Sequence, residues 1–495
     1  MLYPENVKTL IDEQNKFILI EWKIGKNKIK FLDSYRIFPV SLNEFTNIFG
    51  VQGKLNKYKP EYNNINILDN NTEFIEYAIQ DSKALFDTLI KAQEYYLDNF
   101  SVDITDIVSL PSLSFKIFRS KFLEYDIPIL KPSQDTFIRK GYFGGGTDYY
   151  KAYITNGKQY DINSLYPDAM LKNPMPYKII KFHNSLTNIK LDDFYGFVLA
   201  KITCSRTMEK PMLPYKYEGR TIYPTGTWIG VYFSEELKAV AKLGYTIKLI
   251  SGYEFSKIDL FSSYVDYFYK IKKLSIGAAR FLAKLHLNSL YGIFGRKLQL
   301  TEIINIHKKD LPQYMLNRII LGIIELNDYY IAIKVSKNTN NSILAELNSQ
   351  LETNFTDYFS TPVKSNVAIA AAITAYARIT MIPFKLMEGT AYSDTDCIIT
   401  TDVLDNSLIG DDLGLMKDEL KGNIIEEAYF FGVKQYGFYF KDSNGINIER
   451  SVFAGVERNS IPWNEIVDLF KGKILLISNT PTIKLKGKLL NIKIE

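Results

Sequence analysis

Two aspartates separated by a single residue are the side chains of this sequence best placed to do chemistry. Asp394 and Asp396 stand in Tyr392-Ser-Asp-Thr-Asp-Cys-Ile-Ile399, where the apolar residues predict a buried strand after a tight acidic turn. Because side chains alternate along a strand, positions 394 and 396 are expected to face the same side. Neighbouring carboxylates repel each other unless a cation lies between them, and Mg²⁺ prefers oxygen ligands. The spacing indicates a divalent-metal site, with a solvated acidic turn as the alternative on this stretch alone.

A third acid, Asp161, is carried by a predicted strand in Gln159-Tyr-Asp-Ile-Asn-Ser-Leu-Tyr-Pro167. It lies far before Asp394 in the chain, so only folding can bring the acids together. The three histidines are scattered, and the two cysteines, Cys204 and Cys397, form neither a zinc pattern nor a disulfide framework. Any catalysis is therefore expected to depend on carboxylates and lysines.

A basic helix face is the second candidate for chemistry. After a predicted helix at 260–273 and a break, a second helix is predicted from Gly277 to Phe294. Its polar residues recur at intervals of four, four and three, which places them on one face. These residues are Arg280, Lys284, Asn288 and Tyr291. Plain solvation of the face is the alternative, but with Lys272 from the first helix these cations could hold a triphosphate.

Two further segments suit contact with a nucleic acid. Arg139-Lys-Gly-Tyr-Phe-Gly-Gly-Gly-Thr147 holds three successive glycines, which let the backbone lie against a ligand and exclude a helix interior. Its cations and aromatic residues suit a phosphate backbone, with an ordinary flexible turn as the alternative. Phe431-Gly-Val-Lys-Gln-Tyr-Gly-Phe438 predicts a strand with Lys434 and Tyr436 on one side.

Simple periodicity and turn signals predict the elements around these residues. The N-terminal part is expected to be α/β, and β-rich insertions are expected on both sides of the helical pair. The run Val367–Ala377 is rich in small residues and predicts a closely packed core helix, too short to span a bilayer. Strands are predicted at Phe17–Trp22 and Lys28–Leu32, and helices at Ser41–Phe49, at Thr72–Tyr96 with Thr72 as N-cap, and at Ser109–Tyr125.

Composition sets the broad class. The chain has 495 residues, 46% of them hydrophobic, and a net charge of +5, which predict a soluble protein of several domains. The small cationic excess permits a nucleic-acid partner without establishing one. The 35 tyrosines lean in the same direction because tyrosine stacks on bases. The Lys-rich C-terminal segment, including Lys484–Lys488, could follow a phosphate backbone.

Taken in order, five segments resemble motifs of family B DNA polymerases, in particular the protein-primed branch of bacteriophages and mitochondrial linear plasmids. The segments are Tyr142-Phe-Gly-Gly145, Tyr160-Asp-Ile-Asn-Ser-Leu-Tyr-Pro167, Lys284-Leu-His-Leu-Asn-Ser-Leu-Tyr-Gly292, Tyr392-Ser-Asp-Thr-Asp396 and Lys434-Gln-Tyr436. The resemblance implies an α+β, multidomain right-hand fold of palm, fingers and thumb, with two insertions and a partial RNase H-like exonuclease domain. The expected segments are 1–105 (partial 3′–5′ exonuclease), 106–170 (linker and first palm part), 171–255 (insertion 1), 256–299 (fingers), 300–365 (insertion 2), 366–430 (second palm part) and 431–495 (thumb).

The same resemblance assigns roles to individual residues. Asp161 and Asp396 are implied as ligands of two Mg²⁺ ions, for which Mn²⁺ can substitute, with the carbonyl of Ile162 helping and Asp394 supporting. The implied nucleotide-binding residues are Lys272, Arg280 and Lys284 on the triphosphate, Tyr166 against the sugar, and Asn288 and Tyr291 around the nascent pair. The implied DNA-binding residues are Tyr142, Gly144, Gly145, Lys434 and Tyr436. The implied partners are template and primer DNA, dNTPs and a terminal protein as primer, with no membrane and a mitochondrial location.

The N-terminal part resembles only the later motifs of a 3′–5′ exonuclease. Asp33-Ser-Tyr-Arg-Ile37 resembles its DNA-contact motif and Tyr77-Ala-Ile-Gln-Asp81 resembles its third motif. No Asp-x-Glu first motif is found, since Asp12 and Glu13 are adjacent. A two-metal exonuclease needs its full set of carboxylates, so proofreading is expected to be absent, with Asp33 and Tyr77 mainly structural.

Two departures and two alternatives accompany the resemblance. Cys397 stands where the family often has serine, and Ala454 stands where a lysine is expected before Gly455. An inactive DNA-binding remnant of such a polymerase is one alternative. An RNA-templated polymerase is the other, although such enzymes typically carry adjacent aspartates at the turn, whereas Thr395 separates them here.

Overall fold

The computed structural model describes residues 7–11, 17–55, 59, 62, 71–297, 301–336, 365–475, 483–484 and 491–492. The two predicted N-terminal strands form a hairpin whose turn residue Gly25 has a φ of 59°, and a third strand joins them in one antiparallel sheet. Asp12, Glu13 and most of the polar loop before Asn71 lie outside the described residues. The elements of this part are β1 (Val7–Ile11), β2 (Phe17–Ile24), β3 (Asn27–Leu32), α1 (Leu42–Phe49), α2 (Thr72–Phe100), α3 (Leu110–Lys121) and α4 (Pro132–Lys140).

Side-chain caps begin the first two helices. Ser41 accepts the N–H of Glu44 at the start of α1, the helix predicted around Ser41–Phe49. The N-cap of α2 is Asn71, which accepts the N–H of Phe74, so the expectation of Thr72 was wrong by one residue. The helix predicted over 109–125 ends earlier, at Lys121, because the following segment leads into Pro128.

Insertion 1 forms a four-stranded antiparallel sheet with a hydrophobic core of its own, as expected for a separate β-rich unit. The expected boundaries 170/171 and 255/256 fall inside a helix and a strand, so the insertion is continuous with the elements on either side of it. The elements from the linker to the end of the insertion are β4 (Thr147–Tyr149), β5 (Tyr153–Ile162), α5 (Leu165–Lys172), β6 (Met175–His183), β7 (Gly196–Cys204), β8 (Tyr215–Tyr217), β9 (Arg220–Ile222), β10 (Gly226–Phe233), α6 (Ser234–Ala241) and β11 (Thr246–Ile258).

The predicted helical pair is present, and its second helix is interrupted at Leu290. The helices are α7 (Ser262–Leu274), α8 (Gly277–Ser289) and α9 (Tyr291–Phe294). The pair packs on α2 and α3 through one large aromatic core. Within that core His286 is fully buried, and its two ring nitrogens form hydrogen bonds of 2.8 Å with the hydroxyls of Tyr96 and Ser114.

The buried histidine predicts that stability falls in mild acid. Burial lowers the pKa of His286 from 6.5 to about 3, so the folded chain stays unprotonated while the unfolded chain takes up a proton below pH 6.5. Stability from this residue is therefore complete above pH 6.5 and lost as pH falls towards 3. We expect a loss of about 2 kcal/mol between pH 7 and pH 5 in the free energy of unfolding. Urea titrations of the wild type and His286→Gln check this, since the variant should lack that pH slope; parallel slopes contradict it.

Insertion 2 forms a three-stranded antiparallel sheet, as expected for a β-rich segment. Its elements are β12 (Thr301–His307), α10 (Leu311–Asn317), β13 (Ile320–Glu325) and β14 (Tyr330–Ser336). The remainder of the expected segment, 337–364, lies outside the described residues.

An antiparallel central sheet joins the chain before insertion 1 to the chain after insertion 2. Its strand order is β20-β19-β18-β5-β16-β15-β4, and β17 also pairs with β5. The elements that complete the description are α11 (Val367–Leu386), β15 (Thr390–Asp394), β16 (Cys397–Thr400), β17 (Met416–Asp418), β18 (Ile425–Gly432), β19 (Gln435–Lys441), β20 (Asn447–Phe453), α12 (Trp463–Phe470), β21 (Ile483–Lys484) and β22 (Asn491–Ile492). The expected thumb boundary at 430/431 falls inside β18, so that segment begins as part of this sheet. Of Lys484–Lys488, residues 485–488 lie outside the described residues.

Helix α11 lies behind the central sheet as the predicted core helix. It runs nine residues beyond Ala377 to Leu386, so the length expected from the small-residue run was too short. Among the described residues it is the one helix long and apolar enough to cross a membrane, yet most of it is buried in the protein core. Two of its charged residues, Arg378 and Lys385, are buried as well, and both contact the segment before β4.

Candidate active site

Strand pairing brings Asp161 next to the hairpin that carries Asp394 and Asp396. Asp394 and Cys397 pair across the β15–β16 hairpin, and Cys397 pairs with Asp161 on β5. The N–H of Ile162 donates to the carbonyl of Asp396 at 2.8 Å, which ties the turn to the end of β5. The hairpin and its two buried isoleucines were predicted from the sequence, whereas the pairing with β5 followed only from the fold.

A cavity of about 1010 Å³ opens between this end of the sheet and the helical pair. Asp161 and Asp396 lie on the sheet side, and Lys272, Arg280 and Lys284 lie on the helix side. The lining residues that the sequence predicted are Asp161, Ile162, Tyr166, Lys272, Arg280, Lys284, Asn288, Tyr291 and Asp396. The structure thus gathers every expected metal and nucleotide residue except one, Asp394.

The surroundings of Asp161 and Asp396 disfavour the negative charge of both carboxylates. Burial, followed by the charge of Asp396, raises the pKa of Asp161 to about 7. Burial also raises the pKa of Asp396, and Asp394 adds to that rise. A divalent cation between the two would favour their charged forms. In the described part of the chain no group of three His, Cys, Asp or Glu side chains could hold a metal, so a bound ion would need further oxygens from water or substrate.

Asp394 has a different environment from the one expected. It is not among the cavity-lining residues; one carboxylate oxygen accepts from Thr147 at 2.9 Å, and the other lies 2.5 Å from the Lys434 ammonium. The alternation argument was wrong because Thr395 is a turn residue with a φ of 61°, and the Asp396 N–H donates to the Asp394 carbonyl at 2.8 Å. The tight turn separates the directions of the two side chains.

The cations on the helix wall stand close enough to repel one another. Burial lowers the pKa of Lys272, and the charges of Lys284 and Arg280 lower it further. The Lys272 ammonium lies 3.3 Å from the Ser164 hydroxyl, and Arg280 donates to the Lys272 carbonyl at 2.8 Å. A polyanion in the cavity would offset this repulsion.

Two tyrosines close the base of the cavity. The rings of Tyr166 on α5 and Tyr291 on α9 are 4.3 Å apart between centroids and inclined by 31°. Burial raises the pKa of both hydroxyls. The two rings line the same cavity as the carboxylates and Asn288.

The glycine-rich segment packs against protein rather than standing free. A Cβ on Gly145 would lie 2.6 Å from the Thr395 side chain, whereas a Cβ on Gly144 would meet nothing within 4 Å. The carbonyl of Gly144 accepts from Arg378, and a Cβ on Gly295 would lie 2.6 Å from the Tyr142 hydroxyl. At Gly145 the close approach is therefore to the acidic turn of the protein itself, and the predicted contact with a ligand stays a prediction.

Lys434 lies in a turn and not within a strand. The segment predicted as one strand is the β18–β19 hairpin, with Lys434 at a φ of 55°. The N–H of Lys434 donates to the Tyr392 hydroxyl at 3.1 Å, and the Tyr436 ring lies 4.8 Å from the Tyr392 ring. The hairpin thereby fixes Lys434 beside Asp394.

Several lining residues were missed. Lys417 pairs with Asp161 in register and bonds to Glu419 at 2.5 Å, so both stand beside the carboxylates. Asp411 and Asp412 line the rim, and Asp412 bonds to Lys273 at 2.6 Å. Strand β17 has only three residues, which leaves no periodic signal by which the sequence could have placed them.

The exonuclease-like residues form ordinary structural contacts. Asp33 accepts the N–H of Tyr35 and so begins a short 3₁₀ turn. Lys54 donates to the Tyr77 hydroxyl at 3.2 Å and lies 3.3 Å from the Asp81 carboxylate. A lysine already neutralises Asp81, which agrees with the structural role expected for this region. The Cys397 thiol is likewise enclosed, and Gln159 lies 3.5 Å from its sulfur.

Comparison with known proteins decides the family. The model of DNA polymerase type B, organellar and viral, matches residues 69–386, which is more than half of the chain. The chain belongs to this family. The family match confirms the resemblance inferred from the five motifs, the first three of which lie within those residues.

Relatives of the family occur in fungi and phages. The chain is 32% identical over 472 residues to a probable DNA polymerase of Podospora anserina, covering 85% of this chain and 38% of that protein. It is 30% identical over 468 residues to one of Agaricus bitorquis, covering 90% and 57%. The DNA polymerase of Bacillus phage phi29 is 26% identical over 326 residues, covering 60% and 55%. The chain therefore spans about two fifths to three fifths of the length of these relatives.

A solved structure confirms the fold class. Phi29 DNA polymerase complexed with primer-template DNA and incoming nucleotide substrates superposes with a TM-score of 0.71 and 20% identity, covering 93% of this chain and 80% of that chain. At this identity the likeness shows the fold alone. The multidomain right-hand architecture with mixed helices and sheets is thus confirmed.

Proposed function

We propose that the chain is a DNA-directed DNA polymerase that adds dNMP to a primer 3′-hydroxyl by two-metal nucleotidyl transfer. The observation that carries the proposal is the single cavity in which Asp161 and Asp396 face Lys272, Arg280 and Lys284. Acids on one wall suit divalent cations, and cations on the other suit a triphosphate. Family membership supports the same reaction.

The carboxylates fit a magnesium site by their chemistry. Burial, and after it the charge of Asp396, raises the pKa of Asp161 to about 7, and a divalent cation would favour the charged form. Mg²⁺ is usually held by one or two carboxylates together with substrate phosphates. Asp161 and Asp396, with Ile162 beside them, would hold two such ions, and Mn²⁺ could replace them. Bound there, the metals would lower the pKa of the primer hydroxyl and neutralise charge on the phosphates.

The remaining residues bind and orient the substrates. Lys272, Arg280 and Lys284 hold the triphosphate and offset charge on the departing pyrophosphate. Tyr291 and Asn288 border the space for the nascent base pair. The primer and template contact residues near the 394–396 turn. These residues come from the glycine-rich segment before β4 and from the β18–β19 hairpin. This set is Tyr142, Gly144, Gly145, Lys434 and Tyr436.

Primer extension by the purified 495-residue chain tests the proposal. A labelled primer on a DNA template, with all four dNTPs and Mg²⁺, should lengthen to the template end. The same primer on an RNA template should lengthen far less. Binding of DNA without extension would support the inactive remnant, and preference for RNA would support the RNA-templated alternative.

Tyr166 is proposed to select against ribonucleotides. Its ring packs against Tyr291 with the centroids 4.3 Å apart, and by the family pattern this ring would lie under the sugar and exclude a 2′-hydroxyl. Tyr166→Val should raise the ratio of kcat/KM for rNTP over dNTP by about 10²-fold, since a steric exclusion of a few kcal/mol is removed. Single-nucleotide incorporation with dCTP and CTP measures the ratio. Tyr269→Phe at the cavity rim serves as the control, and an unchanged ratio in Tyr166→Val removes the proposed role.

Proofreading is proposed to be absent from this 495-residue chain. Asp81 is neutralised by Lys54, and the described residues around it supply no carboxylate cluster. A primer with a mismatched 3′ end, incubated with Mg²⁺ and no dNTP, should keep its length. Metal-dependent shortening contradicts the proposal.

We further propose protein-primed replication of a linear plasmid in mitochondria. The organellar and viral family and its fungal members support the setting. The two insertions, located on both sides of the helical pair, support a terminal protein as primer, because they stand where this branch of the family carries its extra regions. Retention of the chain in isolated mitochondria, detected by antibody, tests the location.

A further inference from the structure

Lys385 is a buried cation directly behind the acidic turn. It lies near the end of α11 with 4% of its surface exposed, and its ammonium donates to the carbonyl of Gly146 at 3.1 Å. The same carbonyl accepts the N–H of Thr395 at 3.0 Å. One oxygen atom therefore joins Lys385 to the residue at the centre of the turn.

The linker backbone is pressed between Lys385 and the turn. A Cβ on Gly146 would lie 2.5 Å from the Lys385 ammonium and 2.6 Å from the Tyr223 hydroxyl. A Cβ on Gly145 would lie 2.6 Å from Thr395 on the other side. A side chain at 145 would press on Thr395, and one at 146 would displace either the linker or the ends of the Lys385 and Tyr223 side chains, so both would disturb the contact between Lys385 and the linker.

A contribution to folding stability does not explain why the Lys385 ammonium is buried behind the acidic turn. Burial lowers the pKa of Lys385 to about 8, while the carboxylate of Asp148 opposes the fall, so the group remains charged at pH 7. The ring of Tyr223 from insertion 1 lies 5.5 Å from the ammonium, and in the described structure the Tyr223 hydroxyl has no hydrogen-bond partner. Burying a charge is costly, and an apolar side chain of similar length would fill the same space without that cost.

We propose that Lys385 is a positioning residue that fixes the Asp394-Thr395-Asp396 turn through the Gly146 carbonyl. Its catalytic consequence rests on the proposed polymerase function. Thr395 has a φ of 61°, which a β-branched residue rarely adopts, so the turn needs restraint from outside. The ammonium holds the Gly146 peptide in the orientation that receives the Thr395 N–H, and the turn then keeps Asp396 beside Asp161.

The experiment compares Lys385→Met with the wild-type chain by two readouts. Amide hydrogen exchange without substrate should be at least about tenfold faster at Thr395 and unchanged at Phe440 in β19, because only the local restraint is lost. The kcat for single-dNMP addition should fall about ten- to a hundredfold, as for residues that orient metal ligands. The KM for dNTP should stay within about twofold, because the cation wall is untouched.

Two further variants keep the result decisive. Gly146→Ala displaces the same peptide without removing the charge and should reproduce both effects, also where Lys385→Met does not fold. Tyr223→Phe removes only the unpartnered hydroxyl and should leave both readouts within about twofold. Unchanged exchange at Thr395 in folded Lys385→Met, or in Gly146→Ala, overturns the proposal. Faster exchange in a chain whose wild type extends no primer supports the positioning role and counts against the polymerase function alone.

Discussion

Asp161→Asn and Asp396→Asn are each expected to slow dNMP addition at least about a thousandfold. Asparagine keeps the size of the side chain but removes the negative charge proposed to hold the metal ions. Because burial and mutual repulsion raise the pKa of both carboxylates, neutralising either one should leave the chain at least as stable as before. Single-turnover primer extension at saturating dNTP measures the rate, and thermal unfolding checks the fold.

Asp394→Asn provides a graded comparison. Its carboxylate does not line the cavity and is bonded to Lys434 and Thr147, so the loss should be nearer tenfold to a hundredfold. Glu426→Gln, an acid on β18 of the same sheet, should extend at the wild-type rate. Near wild-type extension by Asp161→Asn, or a larger loss for Asp394→Asn than for Asp396→Asn, would refute the assignment of the ligands.

The largest effect on stability is expected at Arg378. This guanidinium is 4% exposed and forms two hydrogen bonds, of 2.6 and 2.8 Å, with the carboxylate of Glu236, itself 2% exposed. It also donates to the carbonyls of Phe143 and Gly144. Arg378→Met should lower the free energy of unfolding by about 3–5 kcal/mol, because Glu236 is left buried and unpaired. Urea titration at pH 7 measures the loss.

A double variant separates the unpaired charge from the lost packing. Arg378→Met with Glu236→Leu removes both charges and should recover at least about 1–2 kcal/mol of the loss, although two carbonyls still lack their donor. Lys441→Met is the matched control, since its ion pair with Glu426 is exposed and long, at 4.0 Å, and its loss should stay under about 0.5 kcal/mol. A double variant no more stable than Arg378→Met would contradict the explanation.

Turn residues and helical spacing correctly predicted the elements whose formation depends on residues close together in the chain. The hairpin at Gly25, the helix after Ser41 and the face shared by Arg280 and Lys284 follow from turn chemistry and helical spacing, and all are present. The gathering of Asp161 with Asp396 was expected from the family motifs. It could not be derived from spacing, because it depends on the pairing of β5 with β16.

Contacts between residues far apart in the chain could not be predicted from the sequence. Alternation placed Asp394 beside Asp396, but the positive φ of Thr395 turns it towards Lys434, and that residue belongs to a separate hairpin. The partnership of Arg378 with Glu236 joins α11 to insertion 1, across 142 positions of the chain. Neither residue type nor period marks such a pair, so the elements that hold the linker became visible only with the fold.

The pairing of β5 has a consequence for biosynthesis. Its neighbours in the central sheet begin at residue 397, whereas β5 itself ends at residue 162, so 234 residues are translated between them. At about 5–20 residues per second a ribosome needs on the order of ten seconds or more for that stretch. Throughout this interval the strands that form backbone hydrogen bonds with β5 have not yet been made. Chaperone occupancy of the emerging chain should therefore peak before residue 397 is made and decline once β16 to β18 have left the exit tunnel.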